Sequence, residues 1–309
     1  MRDLRVVLAN GHPALGAWLM YPDAFVTETM ARTGWDWLVV DMEHGPISLP
    51  DAAAMITAIR TTDVVPYVRP AWNDPAHIQQ ALDLGCAGII VPVVNNEEDA
   101  KRVVRDARFP PVGQRSRGGV RPLLAFETDA MTYAERSNAE LVVLVQIETT
   151  LAVQNVEAIC AVDGIDGVFL GPNDLAASRG QRWPDAWADE DYRALVRRVA
   201  AVALEHRKIA GFLARDANMA LEVAEMGYRF IGVSSDVNYL TVAAKNAVNT
   251  TWDALGYEPA GAHNHDHGDG HDHGGHDHGD HDGHDHGDHD GHDHGDHDGH
   301  DHGHDAGDR

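Results

Sequence analysis

Trp35-Asp36-Trp37-Leu38-Val39-Val40-Asp41-Met42-Glu43-His44-Gly45-Pro46 is the stretch that decides the reading of this chain. The apolar run Trp37 to Val40 reads as a short buried strand. It stops at Asp41, Glu43 and His44, and Gly45-Pro46 then forces a turn. Charged and imidazole groups at the tip of a buried strand are costly unless they bind something or hydrogen-bond well. The rest of the chain repeats this unit and brings other polar strand tips towards the same mouth.

Working outward, the pattern predicts strands over 16–20, 37–41, 64–69, 88–92, 141–147, 167–170, 209–213 and 230–233. Helices are expected over 25–33, from 48 or 50 to 60, and over 75–84, 95–107, 149–160, 189–206, 216–226 and 237–255, with a short one near Tyr133. A basic, Gly- and Pro-rich loop over 109–119 interrupts the period. Loops of that length in compact domains are functional or disordered. Eight apolar strands alternating with amphipathic helices imply a parallel sheet with crossover helices, closed as a (β/α)₈ TIM barrel. A doubly wound open sheet would need a Gly-rich phosphate loop after the first strand, and residues 18–24 hold none.

Composition divides the 309 residues in two. Residues 1–261 have ordinary globular composition and read as one barrel domain. Residues 262–309 are almost entirely His, Asp and Gly, which predicts a disordered tail because there is nothing apolar to bury. The tail carries 17 of the 21 histidines and 15 of the 49 acidic residues. The body is left with 23 basic and 34 acidic residues, a net −11, against −14 for the tail. Neither part suits nucleic acid or an anionic membrane surface. Cys86 and Cys160 lie in apolar contexts and read as buried free thiols in a reducing compartment. The N-terminal stretch lacks the apolar core of a signal peptide, and no run is long enough to span a bilayer. A cytoplasmic location is expected.

In a barrel of this kind the chemistry lies at the C-terminal strand ends. Those ends offer Trp18, Asp41 and His44, Arg69, Pro92, Gln146 and Glu148, Asn173 and Asp174, Leu213, and Ser234 to Asp236. The carboxylates Glu148 and Asp174, with positions left open for water and substrate oxygens, suit a hard divalent cation such as Mg²⁺ or Mn²⁺. Arg69 could neutralise an acid substrate's oxygen, and an imidazole such as His44 suits proton transfer near neutral pH. Blander readings stand beside these. Asp41 and His44 could cap a loop, and Glu148 and Asp174 could be helix N-terminal carboxylates. The three lysines, Lys101, Lys208 and Lys245, fall within helices or before a strand, so a Schiff-base mechanism finds no amine in the pocket.

These motifs resemble the HpcH/HpaI aldolases, metal-dependent 2-keto acid aldolases. The likeness runs through Trp37-(x)₃-Asp41-Met42-Glu43-His44-Gly45-Pro46, Pro66-Tyr67-Val68-Arg69-Pro70 and Gln80 to Gly88. It continues in Phe109 to Arg115, Gln146-Ile147-Glu148-Thr149 and Gly171-Pro172-Asn173-Asp174-Leu175, covering nearly all of residues 15 to 245 in order. The resemblance implies a barrel of the phosphoenolpyruvate/pyruvate-domain type. It implies a divalent metal (Mg²⁺, Mn²⁺ or Co²⁺) on Glu148 and Asp174, Arg69 at the keto or enolate oxygen, and Gln146 beside metal and substrate. Amides near Gly171 and Asn173 would hold the substrate carboxylate, Trp18 would line the site, and His44 would be the acid/base with Asp41 orienting it. The implied reaction is reversible cleavage of 4-hydroxy-2-keto acids to pyruvate and an aldehyde through a metal-stabilised enolate. The family also swaps its last helix between subunits to build hexamers from dimers, with Asp83 reaching a neighbour's site.

The chain departs from many relatives at Gln114-Arg115-Ser116-Arg117-Gly118-Gly119, a loop bordering the aldehyde pocket, and in its tail. Dense imidazoles with carboxylates suit Zn²⁺, Ni²⁺ or Cu²⁺, which makes the tail a candidate metal reservoir; the blander reading is a solvated acidic tail that binds metals only incidentally. Two rival functions follow: another pyruvate-enolate reaction such as oxaloacetate decarboxylation, and a metal-buffering protein whose barrel merely carries the tail.

Overall fold

Eight parallel strands close into a barrel in sequence order, β8 pairing back onto β1. The computed structural model describes residues 4–256. The strands are β1 (Ala14–Leu19), β2 (Trp37–Asp41), β3 (Val65–Arg69), β4 (Gly88–Val91), β5 (Val142–Ile147), β6 (Gly167–Leu170), β7 (Ile209–Ala214) and β8 (Phe230–Ser235). The expected barrel is the fold observed. The tail, and the domain boundary at 261, lie outside the described residues.

Both faces of these strands are buried, so alternation sorts two kinds of apolar side chain rather than apolar from polar. Leu38 and Val40, Val68, Val143, Val145 and Ile147 face the helices and join the larger core cluster. Trp37 and Val39, Val65 and Tyr67, Val142 and Leu144 face the barrel axis, with Phe169 and Phe230. Trp37 stacks on Phe230 at 4.1 Å between ring centroids and meets Tyr67 edge-on at 6.0 Å. Small residues make room for these rings. A Cβ on Gly16 would overlap the Trp37 ring, and one on Gly211 would lie 2.5 Å from Phe169. Helix α1 (Leu4–Ala9) adds Leu4 to this interior at the end where the strands begin.

The inward series changes character at its last member. It runs Trp37, Val39, Asp41 on β2 and Val65, Tyr67, Arg69 on β3. On β5 it runs Val142, Leu144, Gln146, and Glu148 follows one residue past the strand. Charge therefore enters the barrel only at its C-terminal mouth.

The crossover helices include α2 (Ala24–Ala31), α3 (Leu49–Ile59), α4 (Pro75–Asp83), α5 (Glu97–Ala107), α11 (Glu190–Glu205) and α12 (Ala217–Glu225). Their starts are fixed by side chains that accept the first free amides, as Asp23, Asp74 and Asn96 do. Ser48 and Asp51 form a reciprocal capping box on α3. Four details differ from expectation. The segment after the long loop holds two helices, α6 (Val120–Ala125) and α7 (Ala130–Glu140). The helix expected over 149–160 is broken at Asn155 into α8 (Thr150–Gln154) and α9 (Val156–Cys160). Gly171 to Leu175 is the start of a further helix, α10 (Pro172–Ser178), rather than a strand end. The N-terminal stretch, for which no element was expected, forms α1.

The last helix, α13 (Asp236–Leu255), has 20 residues, of which only Asp236 is buried. Leu240, Val242, Val248 and Leu255 are exposed along it. Among the described residues no helix is long and apolar enough to cross a membrane. Cys86 and Cys160 are both buried and unbridged, and burial pushes each thiol up to about 12.

Candidate active site

The mouth is built around one cross-strand pair. Asp41 and Arg69 end β2 and β3 and are direct partners in the ladder. Arg69 Nε donates to Asp41 Oδ1 at 2.8 Å and Nη2 to Oδ2 at 2.6 Å, a two-pronged, buried contact. Its remaining Nη1 lies 2.7 Å from Glu43 Oε2, an ion pair without hydrogen-bond alignment. The guanidinium sits over the Trp18 ring, 4.4 Å from its centroid. Arg69 is thus held on three edges and one face.

Asp41 also accepts the amides of Glu43 (3.1 Å) and His44 (3.3 Å) at Oδ1. Its carboxylate therefore orients Arg69 and the backbone of His44, and its hydrogen bonds do not include the His44 imidazole. That imidazole is 57 % exposed, lies 3.8 Å from Glu43 Oε2, and lines the cleft.

Behind the pair lies Glu148, 6 % exposed. Its Oε1 accepts the Val93 amide at 2.6 Å and its Oε2 accepts Gln146 Nε2 at 2.7 Å. Val93 holds that amide in place with φ of +55°, a conformation a β-branched residue adopts only under strain. Burial, together with the charges of Glu43 and Asp174, pushes the Glu148 carboxyl up to about 7 against the opposing pull of the Val93 amide and Arg69. Burial also raises Glu43, with Arg69 opposing and Asp41 and Asp174 adding to the rise.

Gly171 closes this wall. A Cβ there would stand 3.0 Å from Gln146 Nε2 and 3.2 Å from Glu148 Oε2. Asp174 lies in the first turn of α10, whose start is fixed from below by the buried Tyr192 hydroxyl donating to the Pro172 carbonyl at 2.7 Å.

A cleft of about 230 Å³ opens here, and Trp18, Asp41, His44, Arg69 and Asn173 are among its lining residues. The structure thus gathers those five of the residues singled out in the sequence, with Gln146, Glu148, Gly171 and Asp174 at the same mouth. Asp83 is elsewhere: it ends α4, towards the opposite end of the barrel, and accepts Arg115 Nη2 at 2.8 Å. Arg115 is buried within the 109–119 loop, over the Phe109 ring. Glu43, named in the charged cluster of the sequence but given no role there, and the Val93 amide are additions to the expected site. Glu43 carries a signal, two residues past Asp41 in the charged cluster, whereas the Val93 amide carries none.

The donor set fits a hard divalent cation. Three carboxylates, Glu43, Glu148 and Asp174, share a mouth where Arg69 is already committed, and Gln146 Oε1 is buried without a partner. Among the described residues no three His, Cys, Asp or Glu side chains cage a metal by themselves. Two carboxylates leave room for substrate oxygens instead. No lysine lines the cleft. Lys101 pairs with Glu97 and Glu98 on α5, and Lys208 donates to the Ile165 carbonyl.

A family model described as HpcH/HpaI aldolase/citrate lyase matches residues 15–243. The chain belongs to this family. It is 34% identical over 243 residues to 4-hydroxy-2-oxo-heptane-1,7-dioate aldolase of Escherichia coli, covering 79% of this chain and 92% of that protein. It is 36% identical over 240 residues to hydroxypyruvate/pyruvate aldolase of Sagittula stellata, covering 78% and 94%. Among solved structures, a HpcH/HpaI aldolase/citrate lyase family protein from Burkholderia cenocepacia J2315 superposes with a TM-score of 0.75. That protein is 33% identical, with 81% of this chain and 99% of that one covered. As a member of the HpcH/HpaI family, the protein is a lyase of the aldolase type.

Proposed function

We propose that the enzyme reversibly cleaves 4-hydroxy-2-oxo acids to pyruvate, or a close 2-oxo acid, and an aldehyde. A divalent cation (Mg²⁺, Mn²⁺ or Co²⁺) would be held by Glu148 and Asp174. The observation that carries this reading is the gathering of carboxylates at the mouth, with Glu43 half-buried and Asp174 exposed near the buried Glu148, a charge that a divalent cation would neutralise. When bound, such a cation supplies Lewis acidity towards the 2-oxo group.

The chain's own residues do the rest. Arg69, pre-set by Asp41 and Glu43, faces the 2-oxo oxygen and offsets charge developing there without reorganising. Amides at Gly171 and Asn173 hold the substrate carboxylate. Trp18 fixes one wall of the cleft. His44 accepts the proton of the 4-hydroxyl as the C3–C4 bond breaks. The electron pair of that bond passes to C3 and into the enolate, the aldehyde leaves, and protonation at C3 gives pyruvate. In the addition direction His44 returns its proton to the new alkoxide.

The test is pyruvate release from a panel of 4-hydroxy-2-oxo acids. Each is assayed with and without added metal, after chelation, and after borohydride treatment with substrate present. Metal-dependent, borohydride-insensitive release is expected. Absence of cleavage with every metal would overturn the reading, and oxaloacetate decarboxylation would be tried next.

Two further features belong to this proposal. The apolar residues exposed along α13 support a homo-oligomer in which a second copy covers that helix, giving dimer-built hexamers with Asp83 serving a neighbouring site. Leu240→Glu combined with Val248→Glu should lower the mass measured by light scattering. The His/Asp/Gly composition of residues 262–309 supports a Zn²⁺- or Ni²⁺-holding tail. A chain ending at Gly261 should then lose bound metal and lose activity in metal-limited medium.

A further inference from the structure

We propose that Asn95 and Asn155 form a clamp that positions Glu148, by holding Val93 in the left-handed conformation from which its amide reaches the carboxylate. Both are positioning residues, and neither lines the cleft. The proposal rests on Glu148 as a metal ligand, as read above, and adds what fixes that ligand in place.

The clamp ties two βα units together beyond their strands. β4 ends at Val91, which pairs with Val145 of β5. Past those ends, Val93 donates its amide to Glu148 Oε1 at 2.6 Å. The Thr149 hydroxyl donates to Asn95 Oδ1, and Asn155 Nδ2 donates to the Asn95 carbonyl at 2.8 Å. The Thr149 oxygen also accepts the Ala152 amide at 3.0 Å as the cap of α8, which leaves its proton for Asn95. From its own side of the seam, the Asn95 amide donates to the buried Asp99 at 2.9 Å. The amide, carbonyl and side-chain oxygen of Asn95 are thus all fixed.

Strain at Val93 makes such a hold necessary. With φ of +55°, this β-branched residue sits where the backbone crowds its Cβ, and left to itself it returns to negative φ. That return would swing its amide away from Glu148. The strain of one left-handed residue and the worth of two hydrogen bonds are of similar size, so the contacts to Asn95 decide which conformation Val93 takes.

The break between α8 and α9 gains a reason from the same contacts. Asn155 ends α8 and precedes α9, yet its side chain does not cap α9. It reaches back 60 residues to the Asn95 carbonyl instead. Glu148 itself is held at both oxygens, by the Val93 amide and by Gln146 Nε2. Outer partners that orient a ligating carboxylate set how tightly it binds its metal.

The experiment measures Mn²⁺ binding to the full chain by calorimetric titration. The Glu148→Gln chain, which keeps residues 262–309, is the blank for binding elsewhere. Asn155→Ala should weaken binding about threefold, and Asn95→Ala combined with Asn155→Ala about tenfold or more. Glycine takes positive φ without strain, so adding Val93→Gly to the combined variant should restore affinity to within about threefold of wild type. A merely loosened barrel would gain nothing from that glycine. Unchanged affinity in the combined variant, or no recovery with Val93→Gly, overturns the clamp. Should the combined variant fail to fold, Asn155→Ala with and without Val93→Gly decides by the same recovery. Coincident titrations of wild type and Glu148→Gln sink the metal reading and the clamp with it. Glu148-dependent binding that ignores Asn95 and Asn155 sinks the clamp alone.

Discussion

The barrel interior and the barrel mouth lie on the same strands, a few residues apart, and follow opposite rules. In the interior every inward position is apolar, and Trp37, Tyr67, Phe169 and Phe230 pack edge and face with glycines cut to fit. At the mouth the next inward positions are Asp41, Arg69 and Gln146, with Glu148 just beyond. There the fold tolerates a carboxyl raised to about 7, a strained Val93 and a buried amide oxygen without a partner. The interior is optimised for the folded chain alone. The mouth is arranged for something that is not the chain.

Substitutions at the two places should therefore separate activity from stability. Glu148→Gln has the largest expected effect. Pyruvate release should fall roughly 10³-fold, about 4 kcal/mol of transition-state stabilisation. The melting temperature should hold or rise, because a buried charge is replaced by a neutral isostere. A large fall in Tm would mean that Glu148 belongs to the scaffold and would blur the contrast. Gly16→Ala should do the reverse. Overlap with Trp37 should cost about 3 kcal/mol and lower Tm by roughly 10 °C in calorimetry, while kcat of the folded fraction changes little. The smallest effect sharpens the comparison inside the mouth. Glu43→Gln leaves Arg69 its two-pronged bond to Asp41 and should lower kcat/KM about tenfold, against about 10²-fold for Asp41→Asn. Equal losses from the two would show that the ion pair at 2.7 Å anchors Arg69 as firmly as the aligned bonds do.

The barrel was legible in the sequence because each βα unit carries its own punctuation: an apolar run, a polar tip, a capping residue such as Asp23, Ser48 or Asp74, then an amphipathic helix. α10 escaped although Pro172 at its first turn is a helix-start signal, because Gly171-Pro172-Asn173-Asp174 also reads as a strand terminus. The break at Asn155 is invisible to an apolar periodicity that runs on through Val156 and Ile159. At the site, residue types at the strand tips were readable, but their partners were not. Asp41 and Arg69 are 28 residues apart, and only the ladder register shows that the carboxylate meets the guanidinium rather than the His44 ring.

The two cysteines equip the molecule with a clock. With both thiols pushed to about 12, only about one in 10⁵ is thiolate at pH 7, so alkylating reagents and oxidants meet an inert surface while the chain is folded. Each thiol reacts only during an excursion that exposes it. Cys86 lies just after α4 and Cys160 ends α9, in different βα units of the barrel. Timed labelling of the two would thus date local breathing against whole-barrel opening within one unmodified protein.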